Sequence, residues 1–402
     1  MNYWDLLKTQ TRKIGYGYTH YLFSSLGQTF FIGVFVESFS ADLGMKNQGF
    51  SVIYAIATIA SSFTLPFLGS WLDKMMLRKF SILAGILLTL FCLVVSISET
   101  RIMLLFGLYG LRMTGQGLMV LIGSTAIARS FDKERGKALS LSNLGLATGE
   151  TIMPMVAVFL ISLVGWQHAW QVLAGVTVII FIPIVSLLIP KKDPFHIPPL
   201  QNKEKSTNSF DKSRTEVLKD KRFYLLLANT IMTPFFITGM FIHHNLLAQI
   251  KGWDMTWIAS CFVGYGISKT ISSLLAGPLV DRFSAKRVFP FYLLPMALAA
   301  LTLVTLGNSP LVTLLYLGLM AISVSLMSVA ATALWAELYG YTHFGAIKSM
   351  VTTVVVFASA IGPLVIGSFM GNEDYWQVGL LACIMTMAGT SIGSFLILRR
   401  KS

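Results

Sequence analysis

Twelve long apolar runs, separated by short polar breaks, restrict this chain to one kind of architecture. Each run holds about 20 residues or more, the length that an α-helix needs to cross a hydrocarbon core about 30 Å thick. Backbone groups inside lipid must be hydrogen-bonded within the protein, which favours helices for such runs. The runs lie near residues 16–39, 48–72, 80–98, 102–128, 138–163, 168–190, 223–249, 256–280, 288–306, 309–338, 345–370 and 376–398.

The composition agrees with this interpretation. The chain is 54% hydrophobic and 12% charged, whereas about 25% of the residues of a soluble domain are charged. Only one connection is long, and it is rich in Lys, Pro, Ser and Asn. We therefore predict an all-α membrane protein with an N-terminal six-helix bundle at 1–190, a cytoplasmic linker at 191–222 and a C-terminal six-helix bundle at 223–402.

One charged pattern occurs twice, 208 positions apart, and each time it separates two apolar runs. Both copies read G-x-x-x-D-[KR]-x-x-x-[KR]-[KR]. A repeat at this distance indicates that one six-helix half was duplicated, which predicts two pseudo-symmetric bundles. The first copy contains Gly69, Asp73, Lys74, Arg78 and Lys79, and the second contains Gly277, Asp281, Arg282, Lys286 and Arg287.

Basic residues are distributed unequally between the two sides of the predicted membrane. About 26 of the 31 Lys and Arg residues lie in the N-terminus, alternate loops, the linker and the C-terminus. The opposite loops hold only Lys46, Arg101 and Lys251. Because cytoplasmic loops carry the excess of Lys and Arg, we predict a multi-pass protein of the cell inner (plasma) membrane with both termini in the cytoplasm.

The net charge of +13 does not indicate a nucleic-acid partner. The basic residues form no patch interleaved with aromatic residues, which nucleic-acid binding favours. The sequence also contains no phosphate-binding loop and no metal-binding histidine spacing, and its three cysteines are isolated from one another. We therefore predict no cofactor, no metal and no enzymatic activity.

Three charged residues, Arg112, Glu150 and Lys269, lie well inside apolar runs, where an unpaired charge costs several kcal/mol. Arg112 either faces a polar cavity or is buried in a static hydrogen-bond network. Lys269, about midway along the eighth run, is the leading candidate for direct substrate contact, and the alternative is a pair with an internal acid. Glu150 either exchanges a proton or forms a fixed ion pair with Arg112. With Glu150 ionised the three charges sum to +1, which favours a monoanionic substrate.

Taken together, these features resemble the major facilitator superfamily of secondary transporters over nearly the whole chain. The repeated turn is similar to the family's loop G-x-x-x-D-[RK]-x-G-[RK]-[RK]. The fourth run contains Arg112–Gly117 (RMTGQG), which resembles the family's R-x-x-x-G or R-x-x-Q-G motif. The stretch Ser130–Leu139, followed by Gly145 and Gly149, is similar to the monocarboxylate porter and oxalate/formate antiporter branch.

The resemblance implies alternating access, in which two bundles rock about a midplane site. The repeated turn then acts as an inner gate, in which glycines let helix ends approach closely and aspartates pair across the interface. The alternative is that the turns only fix topology and packing. The gate residues are Gly69, Asp73, Lys74, Arg78, Gly277, Asp281 and Arg282, and the expected substrate contacts are Arg112, Lys269, Asn229, Gln28 and Tyr265.

The sequence therefore predicts a transporter of a small, monocarboxylate-like organic anion, working as a proton symporter or an anion exchanger. One chain contains a complete pathway, so a monomer suffices. A proton-coupled efflux pump for hydrophobic or cationic compounds is the first alternative, although the G-P-x-x-G-G motif of such exporters is missing. A transporter-like receptor is the second. We expect His243 and His244, at the outer face, to be wetted surface residues.

Overall fold

The computed structural model describes residues 3–72, 75–131, 135–189, 212–340, 344–371 and 375–399, which form helices joined by turns. The chain divides into two compact units, Met1–Gln201 and Asn202–Ser402. In the first unit a short N-terminal helix (Tyr3–Thr9) precedes the membrane-length helices. These are α1 (Thr11–Gly27 and Thr29–Asp42), α2 (Asn47–Leu72), α3 (Leu77–Ser96), α4 (Arg101–Leu111, Arg112–Met119 and Val120–Ser130), α5 (135–164) and α6 (166–188).

The second unit begins with a short linker helix, Arg214–Lys219, and continues with six membrane-length helices. These are α7 (Lys221–Ile242, continuing as His244–Lys251), α8 (Met255–Phe283), α9 (Ala285–Val288, Phe289–Phe291 and Leu294–Thr305), α10 (Leu311–Tyr339), α11 (Phe344–Met370) and α12 (Trp376–Arg399).

The helix count agrees with the twelve predicted spans once one long helix is divided. Among the described residues, ten helices are long and apolar enough to cross a membrane, or eleven when the bent pair of α1 counts as one span. The longest, Lys137–Leu188, has 52 residues, more than twice the roughly 20 needed. Its backbone turns at Gly165 (φ 76°, ψ 164°), a conformation that glycine adopts without strain. Gly165 therefore separates α5 from α6.

Both units use the same helix pairs. In the first unit α1 packs on α5 and α2 on α4, and in the second unit α7 packs on α11 and α8 on α10. Glycine permits the first contact in each unit, because a Cβ on Gly145 would overlap the Tyr18 carbonyl and one on Gly362 would overlap the Phe235 carbonyl. Small residues let helix backbones touch in membranes. This shared pairing is consistent with a duplicated half.

The end of the predicted linker is helical. The linker helix has a capping box in which the Ser213 N–H donates to Glu216 Oε2 (2.7 Å), and its Val217 is fully buried. Asp220 then caps α7 by accepting a hydrogen bond from the Arg222 N–H (3.0 Å). The cap places the start of α7 at Lys221, inside the predicted linker. Residues 190–211 lie outside the described part of the chain.

Candidate functional site

Two helix irregularities meet in the first unit. Gln28, partly buried, has an extended backbone (φ −86°, ψ 152°) that interrupts α1, and Arg112–Met119 of α4 is π-helical. Gly27 and Gly115 are in contact at this point, because a Cβ on Gly115 would lie 2.6 Å from the Gly27 nitrogen. Broken helices release carbonyls from their ladders, and π-helical turns often lie at functional sites. The RMTGQG motif therefore forms the contact between the two irregular segments.

Arg112 is held by groups from α1 and α2. Its side chain is 1% exposed. Nε donates to Thr58 Oγ1 (3.2 Å), and Nη1 donates to the Gly27 carbonyl (3.1 Å) and Thr29 Oγ1 (3.3 Å). The guanidinium also lies 5.0 Å from the centre of the Tyr54 ring. This arrangement is the hydrogen-bond network that the sequence allowed as one of two roles for Arg112.

One nitrogen of the Arg112 guanidinium, Nη2, takes no part in this network. Within the described part of the chain, Nη2 of Arg112 makes no hydrogen bond, whereas Nε and Nη1 do. Arginine carries five N–H donors, and Nε and Nη1 use three of them here, so the two donors of Nη2 remain. Nη2 is therefore the atom through which this buried cation can bind an anion.

Sequence reasoning missed three of the four groups that hold Arg112. Gly27, Thr29 and Thr58 are of types common in membrane helices, so nothing in their spacing singled them out. Tyr54, the fourth, is one of several aromatic residues that could either pack or wall a cavity, and the sequence does not separate these two roles. The spacing of Tyr54 and Thr58, four residues apart on one face of α2, was the available signal.

We expect Gly27→Ala to destabilise the protein by about 1–3 kcal/mol, because overpacking has costs of this size. The new Cβ would overlap the Leu111 carbonyl and lie 2.6 Å from the Gln116 nitrogen. The matched control is Gly175→Ala on α6, where a Cβ meets no atom within 4 Å. Thermal unfolding of the purified variants measures the difference. Equal unfolding midpoints for the two variants would contradict the close contact.

Glu150 is 6% exposed and lies on the part of α5 that packs on α1. Its neighbour Gly149 is at the contact, because a Cβ there would overlap Ser25 Oγ. The hydrogen bonds of Arg112 go to α1 and α2. A pair between Arg112 and Glu150 therefore stays a prediction.

In the second unit, Lys269 lies at the middle of α8 and is partly buried. Its Nζ is 5.9 Å from the centre of the Tyr265 ring, one helical turn earlier. Ser325 of α10 donates to the Lys269 carbonyl (3.0 Å) and accepts from Ser273 Oγ (3.1 Å). These bonds fix the turn of α8 that carries Lys269 against α10.

Tyr265 is 1% exposed and belongs to an aromatic cluster. Its ring centre is 5.7 Å from that of Phe241 and 5.8 Å from that of Phe262. Because these rings keep Tyr265 in place, it can support the ammonium of Lys269 through its π face. The structure thus brings two of the predicted substrate contacts, Lys269 and Tyr265, together on one face of α8.

Asn229 has a different environment. It is fully buried, its Nδ2 donates to Ser394 Oγ on α12 (3.0 Å), and its carbonyl accepts from Tyr292 Oη on α9 (2.7 Å). These contacts join three helices of the unit. The Oδ1 atom of Asn229 is buried without a hydrogen-bond partner among the described residues, so the substrate contact of Asn229 stays a prediction.

The prediction for the two adjacent histidines was wrong. His243 is 1% and His244 is 4% exposed, and their Nε2 atoms pair with the Pro363 carbonyl (2.8 Å) and with Tyr316 Oη. The reason is the break after Ile242, where α7 stops and restarts. Both rings pack against neighbouring helices of the unit, where Pro363 of α11 and Tyr316 of α10 supply their partners.

Part of the predicted gate can be located. Gly69 lies near the end of α2, and Arg78, partly buried, lies in the first turn of α3. Arg282 is exposed, with its guanidinium 5.4 Å from the centre of the Phe283 ring. Asp73 and Lys74 lie outside the described residues, as does the side chain of Asp281.

Gly277 was expected to allow a close approach of helix ends at the gate. A Cβ at this position would meet no atom within 4 Å among the residues that the structure describes. The close approach at Gly277 therefore stays a prediction. Among the residues that the structure describes, no group of three His, Cys, Asp or Glu side chains could hold a metal ion.

Sequence comparisons place the chain among transporters. The family model described as Major Facilitator Superfamily matches residues 19–263 and 232–402. The uncharacterized MFS-type transporter YtbD of Bacillus subtilis (strain 168) is 23% identical over 368 residues, which cover 89% of this chain and 87% of that protein. An MFS-type transporter of Gibberella moniliformis (strain M3125 / FGSC 7600) is 24% identical over 385 residues, covering 90% and 85%.

Solved structures share the fold at low sequence identity. A bacterial homolog to the human lysosomal transporter Spinster, inward-facing and unoccupied, has a TM-score of 0.73 at 13% identity over 97% of each chain. A mutant of the nucleoside transporter NupG has a TM-score of 0.72 at 13% identity, over 97% of this chain and all of that one.

Proposed function

The chain belongs to the major facilitator superfamily of secondary transporters, and we propose that its substrate is a small, monocarboxylate-like organic anion carried by alternating access. Family membership makes it a multi-pass membrane transporter, not an enzyme. Charged side chains inside the helices of each unit support this substrate class.

The proposal depends above all on Nη2 of Arg112, which makes no hydrogen bond within the described part of the chain. Arg112 is buried in α4, and its other two nitrogens are fully used by α1 and α2. A cation deep in a membrane protein costs about 2.5–3.5 kcal/mol on insertion scales. Groups of α1 and α2 hold this one in place, and Nη2 can still give a charge-assisted hydrogen bond to a carboxylate oxygen.

Lys269 supplies the second positive charge. It lies at the middle of the 29-residue α8, too deep for its ammonium to reach the membrane surface easily. The Tyr265 ring and the Ser325 hydrogen bond hold its helical turn in place. The charges of the mid-helix residues Arg112, Lys269 and Glu150 sum to +1 when Glu150 is ionised, which favours a monoanionic substrate.

The proposal also covers coupling, gating, location and oligomeric state. We propose proton symport or anion exchange, with Glu150 as the candidate proton site and Gln28, at the break in α1, as an accessory polar contact. The repeated turn acts as the inner gate. The distribution of Lys and Arg supports a cell inner (plasma) membrane location with both termini in the cytoplasm, and a monomer suffices.

Ligand-induced stabilisation of the purified protein tests the substrate class. We expect small monocarboxylates to raise the unfolding temperature, because a ligand at 100 times its Kd stabilises by about 2.7 kcal/mol. The matching uncharged amides should have no effect. Stabilisation by cationic amines, with none by carboxylates, would contradict the proposal and favour the efflux alternative.

We expect Glu150→Gln to retain exchange of labelled for unlabelled substrate but to lose accumulation driven by a proton gradient. The amide keeps the shape of the side chain but cannot release a proton. Uptake into proteoliposomes with and without an imposed gradient separates the two activities. If accumulation persisted in this variant, Glu150 would not be the coupling site. Failure to recover folded protein would show that Glu150 is a structural ion-pair residue.

A further inference from the structure

A basic cavity lies at one end of the second unit, away from Lys269. Its volume is about 600 Å³, and it is formed by the start of α9 and the end of α12. Lys286, Arg287 and Arg399 supply three exposed cations at its rim. Phe291 and Phe395 supply apolar walls. Two of these cations, Lys286 and Arg287, are the basic pair of the second repeated turn and are not among the gate residues named above.

An apolar groove continues from this cavity along the side of the unit. Its volume is about 320 Å³, and it shares Arg287 and Phe291 with the basic cavity. Its other walls include Leu279, Phe283 and Leu326. Phe291 is 49%, Phe283 43% and Leu279 37% exposed. These exposed apolar side chains lie next to three cations, so the surface has a positively charged part and an apolar part.

Local backbone geometry places the cations at the rim. Ser284 has φ 70° and ψ 152°, a sharp turn that ends α8 and starts α9. Glu337 Oε1 of α10 accepts a hydrogen bond from the Ala285 N–H (2.9 Å), which fixes the start of α9. Lys286 and Arg287 therefore lie in the first turn of α9.

Arg399 is positioned by aromatic contacts. Its guanidinium lies 5.5 Å from the centre of the Phe395 ring, and that ring is 5.7 Å from the Phe291 ring. The two rings thus form the wall between the cationic rim and the apolar groove. Glu337 contributes a negative charge nearby, but its carboxylate is engaged at the start of α9.

We propose that this cavity and groove bind one anionic phospholipid. The phosphate of the headgroup lies among Lys286, Arg287 and Arg399, and an acyl chain lies along Leu279, Phe283 and Leu326. Basic pockets between membrane helices attract anionic headgroups, and juxtamembrane cations gain from the negative surface of the cytoplasmic leaflet. A free phosphate ion would leave the apolar groove uncovered, whereas a lipid fills both parts. The proposal rests on the proposed membrane orientation and is independent of the transported substrate.

The test measures lipid retention by the purified full-length protein in detergent, using native mass spectrometry. Dioleoyl phosphatidylglycerol is compared with dioleoyl phosphatidylcholine, with dihexanoyl phosphatidylglycerol and with inorganic phosphate. The test variant is Lys286→Gln/Arg287→Gln/Arg399→Gln. Its matched control, Arg214→Gln/Lys219→Gln/Lys221→Gln, removes three exposed charges from the same unit outside the cavity.

We expect one phosphatidylglycerol to be retained by the wild type and by the control triple variant. The test variant should bind it about 100-fold more weakly, since each basic residue near an anionic lipid contributes about a factor of five. Phosphatidylcholine should not be retained, and dihexanoyl phosphatidylglycerol should bind more weakly because its chains are short. Leu326→Trp, which fills the groove and keeps all three cations, should also lose the lipid.

Three results would overturn the proposal. Equal retention of phosphatidylglycerol and phosphatidylcholine would show ordinary solvation by lipid. Displacement of the lipid by millimolar inorganic phosphate would show that the site recognises only an anion. Undiminished retention by the test variant would show that the three basic residues serve topology alone. If the test variant cannot be purified, Leu326→Trp provides the test. Undiminished retention of phosphatidylglycerol by Leu326→Trp would then contradict the proposal.

Discussion

Replacing Lys269 by alanine should abolish transport while folded protein is still recovered. Loss of one partner from a desolvated charge pair has a cost of about 2–5 kcal/mol, so substrate turnover should fall by a factor of about 30 or more. The fold should survive, because Lys269 is only partly buried and its carbonyl still accepts from Ser325. Uptake of labelled monocarboxylate into proteoliposomes measures the loss, and gel filtration checks the fold.

Two control variants sharpen this experiment. Lys269→Arg keeps a cation over the Tyr265 ring and should keep part of the activity. Lys219→Ala removes an exposed cation from the linker helix and should transport like the wild type. If Lys269→Ala also transported like the wild type, Lys269 would have to be removed from the proposed substrate site.

The second large effect should come from Arg112→Lys, which keeps the charge and removes the fork of donors. The guanidinium makes three hydrogen bonds, to Thr58, the Gly27 carbonyl and Thr29. A lysine ammonium has only three donors, so it cannot replace all three bonds and also bind a carboxylate. We expect transport to fall about 100-fold, consistent with about 3 kcal/mol for a lost charge-assisted hydrogen bond. Initial uptake rates, normalised to folded protein, measure the decrease.

Thr58→Val separates binding from support at this site. It removes the acceptor of the Arg112 Nε bond (3.2 Å) and leaves Nη2 in place. We expect a stability loss of about 1–3 kcal/mol, because a buried donor is left unpaired, with transport largely retained. If Thr58→Val lost as much transport as Arg112→Lys, Arg112 would act by holding α1 and α2 together and not by binding an anion.

The sequence predicted the helices well because length and hydropathy determine which segments can cross a bilayer. Runs ending near 163 and beginning near 168 located the turn at Gly165, whose positive φ the structure shows directly. The break at Gln28 and the π-helical segment Arg112–Met119 were not predicted. Both lie inside apolar runs, and no residue type marks an interruption that depends on contact between two helices.

The sequence singled out the charged candidates Arg112, Lys269 and Glu150 because charge is rare and costly in a membrane, and it also named Tyr265, whose ring lies near Lys269. The groups that hold Arg112 were not singled out, because carbonyls, threonines and tyrosines occur throughout such helices. The histidines after Ile242 show the same limit, since their burial depends on contacts with α10 and α11 that the hydropathy pattern does not record.

Uptake by proteoliposomes tests the central claim most directly. Vesicles containing the purified protein are given a labelled monocarboxylate, its uncharged amide and a cationic dye, each with and without a pH gradient. We predict uptake of the monocarboxylate alone, and its loss in Lys269→Ala. Movement of the dye with no movement of the carboxylate would contradict the account.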